Sequence, residues 1–263
     1  MSKSVDNHEC CEHAATLLAD ADRVTVLTGA GMSQESGVPT FREAQTGLWA
    51  RYDPSDLATP EAFVRHPARV FGWYLWRFRL TRAVEPHAGH YALASMAERF
   101  SDFTLVTQNV DGLHRRAGSR DPVELHGSLE SFRCADRGHP FDVGALEGLG
   151  GSEPGDVTPP ACPQCGSPAR PAVVWFGEVL PAEALERAWA AVQGCDVLLV
   201  VGTSSVVYPA AALPEIALRR GVPVIEINPE RTPLTAHAAL WWPGSAATAL
   251  PMLDGSLSAL GSR

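Results

Sequence analysis

Short apolar runs alternate along the chain with longer stretches in which apolar residues recur at helical spacing. The runs are rich in β-branched residues, as is typical of strands buried on both faces of a parallel sheet. They lie at residues 24–27, 103–107, 123–126, 172–176, 196–202, 222–227 and 240–242. The helical stretches lie at residues 10–21, 60–66, 67–84, 87–100, 181–193 and 209–220. Strands that alternate with helices predict an α/β fold with a doubly wound parallel sheet.

The periodicity is lost between residues 132 and 171, where three cysteines occur among many glycines and prolines. This stretch indicates a small inserted module. The sheet domain is therefore predicted to be discontinuous, with residues 1–42, 101–131 and 171–263. Residues 43–100 and 132–170 are predicted to form the smaller unit, which is helical in its first part and binds a metal in its second.

The bulk composition limits the class of protein. The chain has 263 residues, of which 45% are hydrophobic, enough for a sizeable α/β domain with a small one attached. A net charge of -9 argues against general binding to nucleic acid or to an anionic membrane. No apolar run approaches the ~20 residues of a membrane helix, and the polar N-terminus lacks a signal-peptide core. We expect a soluble, cytoplasmic protein, whose six cysteines are too few for a disulfide scaffold.

A glycine-rich turn follows the first apolar run. Residues 29–31 read Gly-Ala-Gly, and small residues let the backbone approach a bulky ligand closely. A strand that feeds such a turn and a helix start is a favourable phosphate site. The usual dinucleotide fingerprint is incomplete, because Gln34 stands where a third small residue is expected. An aromatic residue and a cation, Phe41 and Arg42, follow just past this turn.

Polar residues follow the next two strands at the edge where open α/β sheets bind ligands. Asn109 and Asp111 come after the run 103–107, and together they can donate to and accept from a carboxamide. His126 ends the run 123–126, where it is well placed as a general base. On the residues alone, an Asn/Asp turn is the better interpretation of the first feature. A satisfied polar residue at the sheet edge is about as good an interpretation of His126.

Two later strands are also followed by polar loops. Gly202, Thr203 and Ser204 offer hydroxyl and N–H groups to phosphate or ribose. Asn228 and Glu230 follow the next strand, and a carboxylate there suits ribose hydroxyls. Each loop has an ordinary structural alternative, but four polar loops at the carboxyl ends of strands indicate a common ligand site.

These segments occur in the order found in one family. The set comprises residues 29–42, 107–114, 126–127, 162–165, 174–178 and 202–204. Over nearly the whole chain, from about residue 24 to residue 251, it resembles the sirtuins, which are NAD-dependent protein-lysine deacylases. The resemblance implies a Rossmann-like doubly wound sheet with a smaller inserted module of helical and zinc-ribbon type.

The resemblance also implies a reaction in which NAD is consumed, giving nicotinamide, free lysine and an O-acyl-ADP-ribose. His126 would be the general base, Asn109 and Asp111 would hold the nicotinamide end, and Phe41 would shield the reacting ribose carbon. The implied NAD-binding residues are Gly29, Ala30, Gly31, Ser33, Phe41, Arg42, Gln108, Asn109, Val110, Asp111, Gly202, Thr203, Ser204, Asn228, Glu230 and Ala246. The substrate peptide would add as a strand against Val174, Trp175, Phe176, Gly177 and Glu178.

The helix at residues 67–84 bears on which acyl group is removed. Tyr74 and Arg77 are three residues apart, so both can reach one pocket, where a phenol and a guanidinium would clamp a carboxylate. On spacing alone, a core tyrosine and a surface arginine are the better interpretation. The resemblance reverses this preference, because Tyr-x-x-Arg is similar to the motif of sirtuins that remove succinyl and malonyl groups. Ala58 matches the small residue that enlarges their acyl pocket, and acetyl groups stay acceptable in this interpretation.

The metal-binding pattern of the family is altered in this chain. Sirtuins have two Cys-x-x-Cys pairs; Cys162 and Cys165 form one, but the other is reduced to Cys134, since Arg137 stands at the position of its second cysteine. An arginine cannot ligate zinc, whereas His139 can, and three cysteines with one histidine form a known structural zinc set. We therefore expect one structural zinc on these three cysteines and His139. The alternative is a metal-free module held by packing.

Two other functions would use the same residues. A mono-ADP-ribosyltransferase would share the NAD pocket, and a non-catalytic NAD-binding regulatory module would need no base. The presence of His126, Asn109 and Asp111 together favours an enzyme. The expected partners are acyl-lysine proteins or peptides, with no membrane and no direct nucleic-acid binding.

Overall fold

The computed structural model describes residues 6–38 and 54–261. In chain order the strands are β1 (Arg23–Thr28), β2 (Asp102–Thr107), β3 (Val123–Glu124), β4 (Gly127–Cys134), β5 (Pro140–Phe141), β6 (Ala169–Val173), β7 (Val197–Val201), β8 (Val224–Ile227) and β9 (Leu240–Trp242). Six of them form a parallel sheet in the order β3-β2-β1-β7-β8-β9, and three form an antiparallel sheet in the order β5-β4-β6. The parallel sheet confirms the predicted fold class.

Eight α-helices lie among the described residues, and the first three begin where the local sequence favours a helix start. The helices are α1 (Asn7–Leu18), α2 (Pro60–Arg65), α3 (Pro67–Ala83), α4 (Ala88–Met96), α5 (Leu113–Arg116), α6 (Ala182–Gly194), α7 (Ala212–Arg219) and α8 (Ala246–Gly261). Asp6 accepts a hydrogen bond from the first turn of α1, and Thr59 does the same for α2. Proline at the start of α2 and α3 removes an N–H that would have no helical partner. Within the described ranges, none of these helices has the length and apolar character needed to cross a membrane.

β1 sends alternate side chains into two separate cores. Val24 and Val26 pack with residues of α1, α4 and α8, whereas Leu27 packs with residues of α6 and α7 on the opposite face. These three side chains are at most 1% exposed. Helices therefore cover both faces of the parallel sheet, as the continuous apolar run at residues 24–27 predicts.

The apolar run at residues 172–176 does not join the parallel sheet, so this part of the sequence prediction is wrong. Ala172 and Val173 lie in β6 and pair antiparallel with Ser128 and Gly127 of β4. Both sides of β1 are already paired, one with β2 and the other with β7. An apolar run indicates that a strand is buried but does not name its partner.

α3 covers the antiparallel sheet. The rings of Phe71 and Phe78 lie 5.9 Å and 5.7 Å from the ring of Phe132 in β4, and both pairs are edge-to-face. Tyr74 and Leu75 are also buried, so these four side chains form an apolar stripe along α3. The limits of the two predicted domains stay a prediction.

Two local predictions next to the site are wrong. After β1 the chain forms two short 3-10 turns, Ala30–Met32 and Gln34–Ser36, and the start of an α-helix is not found before residue 38. The third strand of the parallel sheet ends at Glu124, so His126 lies in the turn that leads to β4. This turn is possible because Gly127 adopts a left-handed conformation with φ of 71°.

The turns after β1 and β7 are in backbone contact. Gly29 N–H donates to Val201 O over 3.0 Å, and Gly31 N–H donates to Gly202 O over 2.8 Å. A Cβ atom placed on Gly31 would lie 2.9 Å from Gly202 Cα, and one placed on Gly202 would meet the backbone of Gly31. Side chains would therefore push the two turns apart.

We predict that Gly202→Ala destabilises the protein more than Gly221→Ala does. Both glycines are left-handed, with φ of 61° and 72°, but the space around Gly221 is open. Gly221→Ala should therefore cost only the conformational strain, about 1 kcal/mol, whereas overpacking against Gly31 should add about 1–3 kcal/mol for Gly202→Ala. Urea unfolding of both variants measures the difference, and equal losses of unfolding free energy would contradict overpacking between Gly202 and Gly31.

Candidate active site

The loops at the carboxyl edge of the parallel sheet are joined at Thr203. Gln108, after β2, donates from Nε2 to Thr203 Oγ1 over 3.0 Å. Asn228, after β8, donates from Nδ2 to the carbonyl oxygen of Thr203 over 2.9 Å. The loops after β2, β7 and β8, which the sequence predicts to share one ligand site, are therefore adjacent.

Asn109 and Asp111 form a buried amide–acid pair behind the loop after β1. Asn109 Nδ2 donates to Ser33 Oγ over 3.1 Å, and the Ser33 hydroxyl is hydrogen-bonded to the Asp111 carboxylate. Asp111 also accepts from Leu113 N–H over 3.0 Å. Burial raises the pKa of Asp111, although these two hydrogen bonds and the positive charge of Arg77 oppose the shift.

His126 has the tautomer that a general base requires. Its Nδ1 atom lies 2.9 Å from the carbonyl oxygen of Gln108. A carbonyl oxygen can only accept, so Nδ1 carries the proton and Nε2 of the neutral ring is free of one. Burial lowers the pKa of His126, and the hydrogen bond to Gln108 only partly opposes this shift. The ring is therefore neutral at pH 7.

A buried network of hydroxyl and imidazole groups, to which the sequence reasoning gives no role, lies behind the amide–acid pair. His114 Nε2 lies 3.0 Å from Thr28 Oγ1, which donates to Thr107 Oγ1 over 2.8 Å, and Thr107 Oγ1 accepts from Asn109 N–H. Burial lowers the pKa of His114 to about 4. It also lowers the pKa of the neighbouring His90 to about 2, with smaller contributions from the charges of His114 and His87. Threonine at two strand ends was the only sequence signal for this network.

Tyr74 and Arg77 lie together, as the helical spacing allows. Tyr74 is 3% exposed, and the guanidinium carbon of Arg77 lies 5.6 Å from the centre of its ring. Burial raises the pKa of Tyr74, so the phenol keeps its proton and can donate. Burial lowers the pKa of Arg77, and the opposing contributions come from Tyr74 and from the charge of Asp111. The predicted clamp is therefore within electrostatic reach of the amide–acid pair.

The segment from Val174 to Glu178 contacts both His126 and the loop before α2. Val174 N–H donates to the carbonyl oxygen of His126 over 2.8 Å, and Phe176 N–H donates to that of Ala58 over 2.9 Å. The ring of Trp175 lies 6.0 Å from that of Tyr74. Glu178, predicted to bind substrate, accepts hydrogen bonds on both carboxylate oxygens from Arg170.

Several of the residues predicted to bind the rest of the cofactor are more exposed than Asn109 and Asp111. Ala30 and Glu230 are exposed, and Ser204 is half-buried. Ala246 begins α8 and is buried. Phe41 and Arg42 lie outside the described residues.

Comparison with known proteins assigns the chain to a family. The model of the Sir2 family matches residues 29–209. The chain belongs to the Sir2 family, the sirtuins. A Pseudomonas aeruginosa protein named NAD-dependent protein deacylase 1 is 52% identical over 214 residues, which are 81% of this chain and 86% of that protein. A Mycobacterium tuberculosis protein named NAD-dependent protein deacylase is 52% identical over 239 residues, 90% of this chain and 99% of that protein.

Solved sirtuin structures share the fold of this sirtuin. A Sir2 homologue in complex with NAD superimposes with a TM-score of 0.84 at 40% identity, over 99% of this chain and 97% of that chain. A mutant Sir2 homologue in complex with ADP-ribose gives a TM-score of 0.85 at 42% identity, over 95% of this chain and 98% of that chain. NAD is therefore the cofactor of this family of proteins.

The candidate zinc ligands of this sirtuin converge in the module below the antiparallel sheet. The ligand atoms of Cys134, His139, Cys162 and Cys165 lie within 4.8 Å of one another. Cys165 Sγ lies 3.7 Å from Cys134 Sγ, and Cys162 Sγ lies 3.6 Å from His139 Nδ1. Tetrahedral zinc with a Zn–S bond of about 2.3 Å requires similar separations, roughly 3.6–3.8 Å. The donor set fits a structural zinc with His139 in place of the missing cysteine.

We predict that purified wild-type protein contains zinc in about a one-to-one ratio and that His139→Ala lowers it, because three thiolates leave one coordination position open. Metal analysis by mass spectrometry measures the ratio. Arg137→Ala is the matched control: it removes the residue at the former cysteine position, yet zinc should be retained. Unchanged zinc in His139→Ala would exclude His139 as a ligand.

Proposed function

We propose that this sirtuin removes succinyl, malonyl and acetyl groups from protein lysines, with NAD as co-substrate and nicotinamide and O-acyl-ADP-ribose as products. The observation that carries the proposal is that a neutral His126, the buried Asn109–Asp111 pair and the Tyr74–Arg77 pair lie near one another. Gln108, which holds His126, is next to Asn109, and Arg77 is attracted by the charge of Asp111. Each named relative is called an NAD-dependent protein deacylase. We also propose a cytoplasmic compartment, with which six free cysteines agree.

The cofactor would lie across the carboxyl edge of the parallel sheet. The glycine turn after β1 and the Gly202–Ser204 loop would hold the phosphates, and Asn228, Glu230 and Ala246 the adenosine half. Asn109 and Asp111 would bind the carboxamide and the ribose at the nicotinamide end of NAD. When bound, NAD supplies an activated ribose carbon with nicotinamide as its leaving group. Phe41 and Arg42 are proposed to cover that carbon against water.

His126 would accept a proton from a ribose hydroxyl. Its Nε2 is the unprotonated nitrogen because Nδ1 is held by the carbonyl oxygen of Gln108. The same backbone segment carries Asn109, so the base and the amide–acid pair are fixed relative to one another. Proton transfer from a hydroxyl by a positioned base is worth about 10²–10⁴-fold in rate.

The acyl-lysine would enter between α3 and the segment from Val174 to Glu178. A peptide that pairs with this segment would place its lysine side chain toward Ala58, Tyr74 and Arg77. Arg77 can bind a carboxylate through two N–H groups, and Tyr74 adds one O–H donor. A succinyl or malonyl carboxylate supplies this partner, whereas an acetyl group does not.

We predict that Arg77→Met lowers kcat/KM for a succinyl-lysine peptide far more than for the acetyl-lysine peptide of the same sequence. Loss of a charge-assisted hydrogen bond to a buried carboxylate corresponds to roughly tenfold to hundredfold. Nicotinamide release with the two peptides measures both values.

Arg82→Met is the control for Arg77→Met, because Arg82 lies on the same helix but is exposed and stacks on Phe78. Arg82→Met should change kcat/KM little for either peptide. Equal losses with succinyl and acetyl peptides in Arg77→Met would contradict the clamp.

We predict that kcat/KM is flat through neutral pH and falls only below the ordinary histidine pKa. The base must be unprotonated, and burial lowers the pKa of His126, so protonation removes activity only in this acidic range. The buried His114, with a pKa of about 4, titrates lower still. A pH–rate profile with a midpoint above the ordinary histidine value would contradict this assignment, and His126→Ala should lose the profile together with about 10²–10⁴-fold of the rate.

A further inference from the structure

A buried ion pair lies behind the segment that borders the acyl pocket. Arg170, in β6, donates from Nη1 to Glu178 Oε1 over 2.6 Å and from Nη2 to Glu178 Oε2 over 2.9 Å. The side chain of Arg170 is 6% exposed and that of Glu178 is 20% exposed. Burial raises the pKa of Glu178, but the hydrogen bonds from Arg170 and from Trp175 N–H outweigh it, and the pKa is below its ordinary value. The Glu178 carboxyl group is therefore ionised at neutral pH.

The same ion pair holds Trp175 on two sides. The guanidinium carbon of Arg170 lies 3.4 Å from the centre of the Trp175 ring, which is close stacking. Glu178 Oε2 accepts a hydrogen bond from Trp175 N–H over 2.9 Å. The indole and its backbone are therefore both fixed by one bidentate pair.

Trp175 is a wall of the space in which the acyl group would lie. Its ring lies 6.0 Å from the ring of Tyr74 and 5.3 Å from that of Phe63 in α2. The flanking residues are tied to other parts of the site, Val174 to His126 and Phe176 to Ala58. A rotation of the indole would therefore change the shape of the acyl pocket while the residues on either side stayed in place.

The chemistry of the Arg170–Glu178 pair agrees with a role in positioning Trp175 rather than in stabilising the fold. Apolar residues of similar volume often stabilise a protein as well as a buried ion pair does. A planar guanidinium that binds a carboxylate through two N–H groups fixes both orientation and distance, which a lysine cannot do. The arginine also stacks on the indole face, so one side chain sets the position of the other.

We propose that Arg170 and Glu178 are positioning residues for acyl-lysine: they hold Trp175 as the wall of the acyl pocket and do not themselves touch the substrate. This inference rests on the proposed deacylase function. It assigns Glu178 a role different from the direct substrate contact that the resemblance implies.

The experiment compares Arg170→Lys and Glu178→Gln with the wild type, using succinyl-lysine and acetyl-lysine peptides of one sequence and nicotinamide release as the readout. Each variant weakens the bidentate geometry, so the KM for both peptides should rise by about tenfold or more. The KM for NAD should change less than twofold, because Asn109, Asp111 and Ser33 are untouched. A loss with both acyl groups distinguishes this role from that of Arg77, whose loss should affect succinyl peptides.

Arg99→Lys is the matched control, since Arg99, just after α4, pairs with Asp254 of α8 outside the acyl pocket, with Nε 3.3 Å from Oδ1. Its peptide KM should stay at the wild-type value. The double variant Arg170→Met with Glu178→Leu removes both charges and keeps the site apolar, so it guards against misfolding caused by one unpaired buried charge. We expect it to fold, as followed by thermal unfolding, and still to show the raised peptide KM.

The outcomes separate the inference from the proposed function. If the wild type releases no nicotinamide with any of the acyl peptides, the proposed function fails. If the wild type is active but the folded variants bind both peptides with unchanged KM, the positioning role is overturned. It is also overturned if the KM for NAD and the KM for peptide rise together, since this would indicate a general structural defect.

Discussion

The site depends on the close backbone contact between the turns that follow β1 and β7. Gly31 N–H and Gly202 O are 2.8 Å apart, and neither position has room for a side chain. Because the strands are parallel and adjacent, this contact brings the end of β1 beside Thr203, to which the loops after β2 and β8 are hydrogen-bonded. The glycines therefore set the spacing of all four loops, in addition to the room that the proposed phosphate site would need. This explains why the site forms around an incomplete dinucleotide fingerprint, with Gln34 at the position of its third small residue.

The features that could be predicted from the sequence were those with a local cause. The run 24–27 is buried on both faces because it is continuously apolar, and Tyr74 and Arg77 meet because residues three apart share a helix face. His139 could be proposed as a ligand because the chemistry of zinc leaves few substitutes for a missing cysteine. Each of these inferences needs only neighbouring residues or a fixed donor chemistry.

The features that could not be predicted depend on which distant segments meet. The run at residues 172–176 was assigned to the parallel sheet because an apolar run does not specify its partner, whereas β6 pairs with β4. Arg170 and Glu178 are eight residues apart, and their ion pair beside Trp175 forms only because the chain turns back between them. His90 and His114 come from different helices, and their burial beside Ser33 and Thr28 follows from the packing of α4 and α5. In all three cases the missing information is a tertiary contact.

The charge of Arg77 links the proposed acyl clamp to Asp111 of the proposed nicotinamide site. In the described structure its guanidinium is attracted by Asp111 and hydrogen-bonded to Tyr74. A half-buried cation needs such compensation, because desolvation disfavours its charged form. In the proposed function, an acetyl group in the pocket would leave Asp111 to supply that compensation, so the neutral substrate would not be rejected by an unpaired charge. The carboxylate of a succinyl or malonyl group would add a bidentate partner, and the guanidinium would be shared between the substrate and Asp111. A carboxylate would therefore be favoured by an added interaction, while acetyl-lysine would be disfavoured only by the lack of it.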